Sequence, residues 1–303
     1  MKVAVIDVGS NSIRLLTCEI ENQQLSASRK VLTMTRLGKG INATNQLAED
    51  RMAHSVVVID QYKQNAKAFG AEQIYIMATS AVRDASNQAV FLARVKAKTD
   101  LDITVLSGEL EAEVGYLGVQ KGLDREVDQV LVLDIGGGST ELILGKQTHI
   151  INKFSHNIGA VRMTDRFFEN ETMDTAIGQV SDFVKSELAG RKDDFSANDK
   201  RCLVGIGGTI TTFAAMALQM TSYDRARIHN YELPLDEIQA MTQKLSGLSS
   251  EERKEVVGLD PKRSDIIVAG GVILCEVMQY YGYNSIIISD FDNLEGYLFH
   301  TLK

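Results

Sequence analysis

Val3-Ala-Val-Ile-Asp7-Val-Gly9-Ser-Asn-Ser12-Ile-Arg14-Leu-Leu16 is answered 127 residues later, without a gap, by Val130-Leu-Val-Leu-Asp134-Ile-Gly136-Gly-Gly-Ser139-Thr-Glu141-Leu-Ile143. In each copy a β-branched apolar run ends in Asp-x-Gly, a turn of small residues follows, and a second apolar run begins. That is the pattern of a hairpin with a widened loop. Its recurrence predicts two related units, each opening on such a hairpin. Glycine in the turns lets backbone amides converge on an anion, because a side chain would obstruct both the φ > 0 conformations and the close approach. Facing turns would clamp a phosphate chain between the units. The copies differ at the seventh position after the Asp, which is Arg14 in one and Glu141 in the other. The first suits phosphate and the second a metal ion.

Outward from the hairpins the chain reads as alternating strands and helices. Leu47, Met52, Val56, Ile59 and Tyr62 fall near helical spacing and end at Gly70, predicting a helix over 45–69 with a glycine stop. A strand is expected over Gln73–Ala78, then a helix capped by Ser86 and running to about Lys98, then a strand over Asp102–Leu106. Ser107 is the expected cap of a helix that carries Glu109, Glu111 and Glu113 and ends near Gly122, with carboxylates in its first turns where the helix dipole favours them. A strand over Arg201–Val204 enters Gly205-Ile-Gly207-Gly208-Thr209, a third phosphate-type turn, before a helix of small residues. A helix over Asp265–Tyr281 and a strand over Asn284–Ser289 follow, and 191–200 reads as an exposed polar loop.

The 303 residues, 44% of them hydrophobic, suffice for two cores. With 32 basic against 40 acidic residues the formal charge is -8, which argues against holding nucleic acid or a membrane surface by general electrostatics. A polyanionic ligand must therefore meet local positive charge. The apolar run before Asp7 is too short for a signal peptide, and no stretch approaches the roughly 20 apolar residues of a membrane span, so a cytoplasmic location is expected. Cys18, Cys202 and Cys275 are far apart and suggest neither disulfides nor a zinc site; buried, reduced thiols are expected. His54, His149, His156, His229 and His300 lack metal-ligand spacing, and His156, closest to the glycine turns, is expected in a non-catalytic polar role.

Five segments together resemble the Ppx/GppA phosphatases of the actin, sugar-kinase and heat-shock-chaperone superfamily. They are Asp7-Val-Gly-Ser-Asn-Ser-Ile-Arg14, Ala78-Thr-Ser-Ala-Val-Arg-Asp-Ala85, Leu106-Ser-Gly-Glu-Leu-Glu-Ala112, Asp134-Ile-Gly-Gly-Gly-Ser-Thr-Glu141 and Gly205-Ile-Gly-Gly-Thr209. The resemblance implies an α/β fold of two ribonuclease-H-like (actin-like ATPase) domains with an interdomain cleft, in the short two-domain form. Domains are expected at 1–124 and 125–303, the terminal helix packing back on the first.

The activity so implied is removal of the terminal phosphate from inorganic polyphosphate or from guanosine pentaphosphate, with Mg²⁺, or Mn²⁺ in its place, as cofactor. Glu111 matches the second glutamate of the family's Ser-Gly-x-x-Glu-Ala motif and is expected to activate or orient water. Arg83 resembles the family's phosphate-contacting arginine, a role suited to a planar guanidinium. Asp134 and Glu141 resemble the acidic pair that holds the metal, with Asp7 sharing the task. Phosphate binding is expected from Gly9, Ser10, Asn11 and Ser12 in the first turn and from Gly136, Gly137, Gly138 and Ser139 in the second. Gly207, Gly208 and Thr209 form the third turn, and Thr79, Ser80 and Arg14 contribute side chains. A homodimer is also expected. One departure stands out: where the family carries an arginine in Leu-Arg-Glu-Gly, this chain has Leu294, with Arg263 as a candidate substitute cation. Two other readings remain open, an ATP-dependent kinase of the superfamily and a non-hydrolytic receptor of guanosine tetra- or pentaphosphate.

Overall fold

The computed structural model describes residues 1–21, 24–125, 127–169, 171–198 and 200–302. In the first half, β1 (Lys2–Val8), β2 (Ser12–Glu21) and β3 (Gln24–Met34) form an antiparallel meander, and β4 (Gln73–Ala78) and β5 (Thr104–Val105) add in parallel. The sheet order is β3-β2-β1-β4-β5. The second half repeats the plan. The meander is β6 (Gln129–Ile135), β7 (Thr140–Lys146) and β8 (His149–His156), and β9 (Arg201–Ile206) joins β6 in parallel. Beyond β9 come β11 (Ser285–Ile288), parallel to it, and the edge strand β10 (Glu232–Pro234), giving the order β10-β11-β9-β6-β7-β8. The repeated Asp-x-Gly segment forms the first hairpin of each sheet.

Both central strands are buried on both faces, as their continuous apolar runs require. On β1, Ala4, Ile6 and Val8 pack with Met52, Ile59, Phe91 and Val95 from the helices Glu49–Phe69 and Gln88–Thr99. Val3 and Val5 face the other way, onto Val114, Leu294, Tyr297 and Leu298. The last three belong to the terminal helix Asn293–Thr301, which therefore covers the first sheet. That helix crosses the helix Gly108–Gly122 so closely that a Cβ on Gly296 would lie 1.8 Å from the Val114 carbonyl oxygen.

The helix Gly108–Gly122 is wedged between the two sheets. Val114 meets the first sheet, whereas Ala112, Tyr116 and Val119, spaced at one helical face, pack with Val132, Ile143 and Val204 of the second. Ser107 caps its start by accepting from the Leu110 amide. Glu111, in the first turn, is thereby carried to the middle of the molecule.

Several local expectations need correction. Ser86 does not cap the next helix; its hydroxyl donates to the Asn45 carbonyl, and the helix begins at Gln88 after Asn87. The helix expected from 45 starts at Glu49, after a separate turn at Ile41–Thr44. The stretch 191–200 is not simply an exposed loop. It contains a short helix, Lys192–Phe195, that buries Phe195 edge-on against Tyr281; Asp199 lies outside the described residues. Cys18 and Cys275 are buried free thiols, but Cys202 is only half-buried. Among the described residues no helix is long and apolar enough to cross a membrane.

Candidate active site

The two Asp-x-Gly turns have the same backbone. Gly9 N donates to Ser12 O at 3.0 Å, and Gly136 N donates to Ser139 O at 2.9 Å. They face each other: a Cβ on Gly137 would lie 2.8 Å from Cβ of Ser10, and the Ser10 hydroxyl pairs with that of Ser80 at 3.0 Å. The third turn leads into the helix Gly208–Ala217, whose first amides add the positive end of a helix dipole. These turns and the end of β4 surround a cavity of about 820 Å³. Its walls include Gly9, Ser10, Asn11, Ser12, Thr79 and Ser80 from the first half. Gly136, Gly137, Ser139, Gly207, Gly208 and Thr209 come from the second. Gly138, Glu141 and Arg83 are set behind this surface. A second cavity of about 600 Å³, beside Tyr116, Arg125 and Gln147, lies away from the turns.

Carboxylates gather at the cavity floor. Register places Asp7 opposite Arg14 and Asp134 opposite Glu141. Asp7 Oδ2 accepts from Arg14 Nε at 2.9 Å, and Arg14 Nη1 reaches Asp292 Oδ2 at 2.5 Å. Asp134 Oδ2 accepts from Asn293 Nδ2 at 3.0 Å, and Glu141 Oε1 from Ser155 Oγ at 2.7 Å. Asp7 Oδ1 and Glu141 Oε2 are buried without a hydrogen-bond partner.

Burial raises these acids, because the interior disfavours their charged form. Burial pushes Glu111 up to about 7 in spite of the Arg83 guanidinium, and Asp134 and Asp7 push the same way. Asp134 is pushed by burial to about 6 against the pull of Arg14. Glu141 stands well above the usual range, through burial and the neighbouring Glu111 and Asp134. Asp292 differs: against the burial that would raise it, Arg14 and Lys30 hold it down at about 2.

Three expectations about side chains change. Arg83 does not face the cavity. Its Nη1 donates to Glu111 Oε2 at 2.7 Å and to the Leu106 carbonyl at 3.0 Å, so it holds the glutamate. Arg14 lines the cavity but is engaged by Asp7 and Asp292. His156 makes no hydrogen bond: both ring nitrogens are buried, Nδ1 standing 3.9 Å from Glu187 Oε2, the ring packs edge-on against Phe154, and burial lowers it to about 4.

Some contributors escape the local motifs. Arg263 lines the cavity and lies against the third turn, where a Cβ on Gly208 would come within 2.2 Å of its Nη2. Its guanidinium makes no hydrogen bond or ion pair among the described residues, and burial pushes it down to about 10. An unpaired buried cation facing glycine amides is suited to an anionic ligand. Leu294, in place of the family arginine, is wholly buried against β1, while Lys30 pairs with the neighbouring Glu295 at 2.9 Å.

Residues 16–303 match the model of the Ppx/GppA phosphatase family. The chain is 30% identical over 311 residues to exopolyphosphatase 2 of Mycobacterium tuberculosis, covering 97% of each chain. It is 35% identical over 305 residues to the bifunctional 3-dehydroquinate synthase/phosphatase of Fusobacterium nucleatum, covering 97% of this chain but 45% of that longer protein. Among solved structures, an exopolyphosphatase from Cytophaga hutchinsonii superimposes with a TM-score of 0.90 at 27% identity, over 100% of this chain and 98% of that one. The Aquifex aeolicus Ppx/GppA family member gives 0.81 at 32% identity, over 100% and 97%.

Proposed function

The chain belongs to the Ppx/GppA phosphatase family, and from that premise we propose that it is an exopolyphosphatase, releasing terminal orthophosphate from inorganic polyphosphate by attack of a Glu111-activated water. The observation that carries this reading is Glu111 itself: a carboxylate 6% exposed, pushed to about 7, at the wall of a cavity that the three glycine turns also line. A base poised near neutrality can take a proton from water at the working pH. Turn amides, the helix end at Gly208 and Arg263 hold the phosphates, and Arg83 aims Glu111. Amide dipoles and one arginine supply positive field locally, which lets a chain of charge -8 accept a polyanion.

Mg²⁺ fits this site as a partner of the substrate. Asp134 and Glu141, with Asp7, are raised or orphaned buried carboxylates that a cation would satisfy. Among the described residues no three acidic, His or Cys side chains converge tightly enough to enclose an ion alone. A hard cation that takes one or two carboxylates, waters and substrate phosphate oxygens matches that donor set. When bound it neutralises charge on the phosphoryl oxygens.

Guanosine pentaphosphate is a second reading, favoured by the cavity mouth. Leu32, Tyr223 and Val257 are exposed apolar side chains that line it, and a nucleobase, unlike a phosphate chain, would use them. Phosphate release from both compounds, measured in parallel, tests the proposal. Wild type should turn over at least one, and Glu111→Gln should be slower by about 10²–10⁴-fold while polyphosphate affinity persists. Near-normal kcat in Glu111→Gln would remove that residue from the mechanism.

A further inference from the structure

Arg83 has two suitors. Its Nη1 is bonded to Glu111 Oε2 at 2.7 Å, and its Nε stands 3.6 Å from Asp84 Oδ1, beyond hydrogen-bond length. Asp84 is an immediate neighbour and would compete for the same guanidinium. What occupies it comes from the other side of the cleft: Arg162 Nη2 donates to Asp84 Oδ2 at 2.7 Å. Arg162 is itself fixed to the second turn. Its Nε donates to the Gly138 carbonyl at 2.7 Å, and its amide and that of Val161 donate to the Gly137 carbonyl. The helix Ala160–Phe167 begins so close to that turn that a Cβ on Gly159 would lie 2.5 Å from the Gly137 carbonyl carbon. The side chains of Arg162, Arg83 and Asp84 are 20%, 21% and 31% exposed, so water screens this chain of charges only partly.

We infer that Arg162 is a positioning residue for hydrolysis: by occupying Asp84 across the cleft it leaves Arg83 to Glu111. The inference rests on the proposed role of Glu111 and adds a sign. Without Arg162, Asp84 turns onto Arg83, draws the guanidinium away, and the water-activating carboxylate loses its aim. Misplacement of a catalytic group by about 1 Å costs on the order of 10²-fold in rate.

The experiment measures kcat and KM for orthophosphate release from inorganic polyphosphate in wild type, Arg162→Gln, Arg162→Lys and the double variant Asp84→Asn/Arg162→Gln, with Glu111→Gln alongside. Arg162→Gln should lower kcat by about 10- to 100-fold with KM changed less than about threefold. Neutralising the competitor should restore it, the double variant returning to within about threefold of wild type, and Arg162→Lys, which keeps a charge for Asp84, should retain most of kcat. A double variant no faster than Arg162→Gln would overturn the inference, since support of the Gly138 turn alone cannot be rescued at Asp84. Wild-type kcat in Arg162→Gln, or a loss confined to KM, would also overturn it. An inactive Glu111→Gln beside an unaffected Arg162→Gln sinks the inference alone; an active Glu111→Gln sinks the hydrolytic reading with it.

Discussion

The hairpins β1–β2 and β6–β7 share a turn closed by the same hydrogen bond, yet their acids are partnered in opposite ways. In the first, Asp7 faces Arg14, and the guanidinium goes on to Asp292 of the C-terminal segment. Asp7 Oδ2 thus has a cationic partner inside the protein, although Oδ1 has no hydrogen-bond partner. In the second, Asp134 faces Glu141, directly opposite carboxylates that accept hydrogen bonds from neutral donors, Asn293 to one and Ser155 to the other. Like charges facing each other across a ladder destabilise it. The backbone of the repeat therefore makes two matching turns, and the single cross-strand residue decides which hairpin has an internal guanidinium and which, on the proposed reading, would be completed by a cation.

Glu141→Gln separates the hairpins most sharply. It should slow Mg²⁺-supported phosphate release on the order of 100-fold while raising the metal-free Tm at pH 8, because a buried charge is removed; a lower Tm with unchanged turnover would erase the distinction. Arg14→Gln should do the reverse to the first hairpin. Leaving Asp7 and Asp292 buried without their guanidinium should cost about 3–5 kcal/mol, a Tm drop on the order of 10 °C by thermal melting. A smaller effect is expected from pH. Glu111 and Asp134, at about 7 and about 6, and Glu141, also raised, have folded-state values above their unfolded ones, so they bind more protons when folded; the stability they lend is present below about pH 4 and, for Glu111 and Asp134, lost as pH rises through about 6–7. Metal-free protein should thus lose Tm between pH 5 and 8, and Mg²⁺ should restore more of it at pH 8 than at pH 5.

What the chain reveals of this design depends on range. The duplicated hairpins are local, written in apolar runs and glycines, and so are the helix start at Ser107 and the motif holding Glu111. Partnerships are not local. Arg14 meets Asp292 across 278 residues, and nothing near Arg14 signals that its charge is spent inside the protein. Arg83 was legible as a cation beside the site, but not that Glu111, 28 residues on, would accept its hydrogen bond. Arg263 sits far from any glycine motif and enters the cavity only because the helix Ile267–Tyr281 brings the preceding segment against the third turn. His156 misled for a physical reason: a ring next to the turns looked polar, whereas β8 buries it beside Phe154. Phe195, inside a polar stretch, was pulled into the core by Tyr281 and Tyr283.

Orthophosphate release from inorganic polyphosphate by the wild-type chain, followed as Mg²⁺ is titrated into chelator-treated protein, tests the division of labour between the hairpins most directly. Turnover should be negligible without the cation and rise to saturation with it. Full turnover in excess chelator would mean that the facing carboxylates of β6 and β7 await no cation, and would contradict the account.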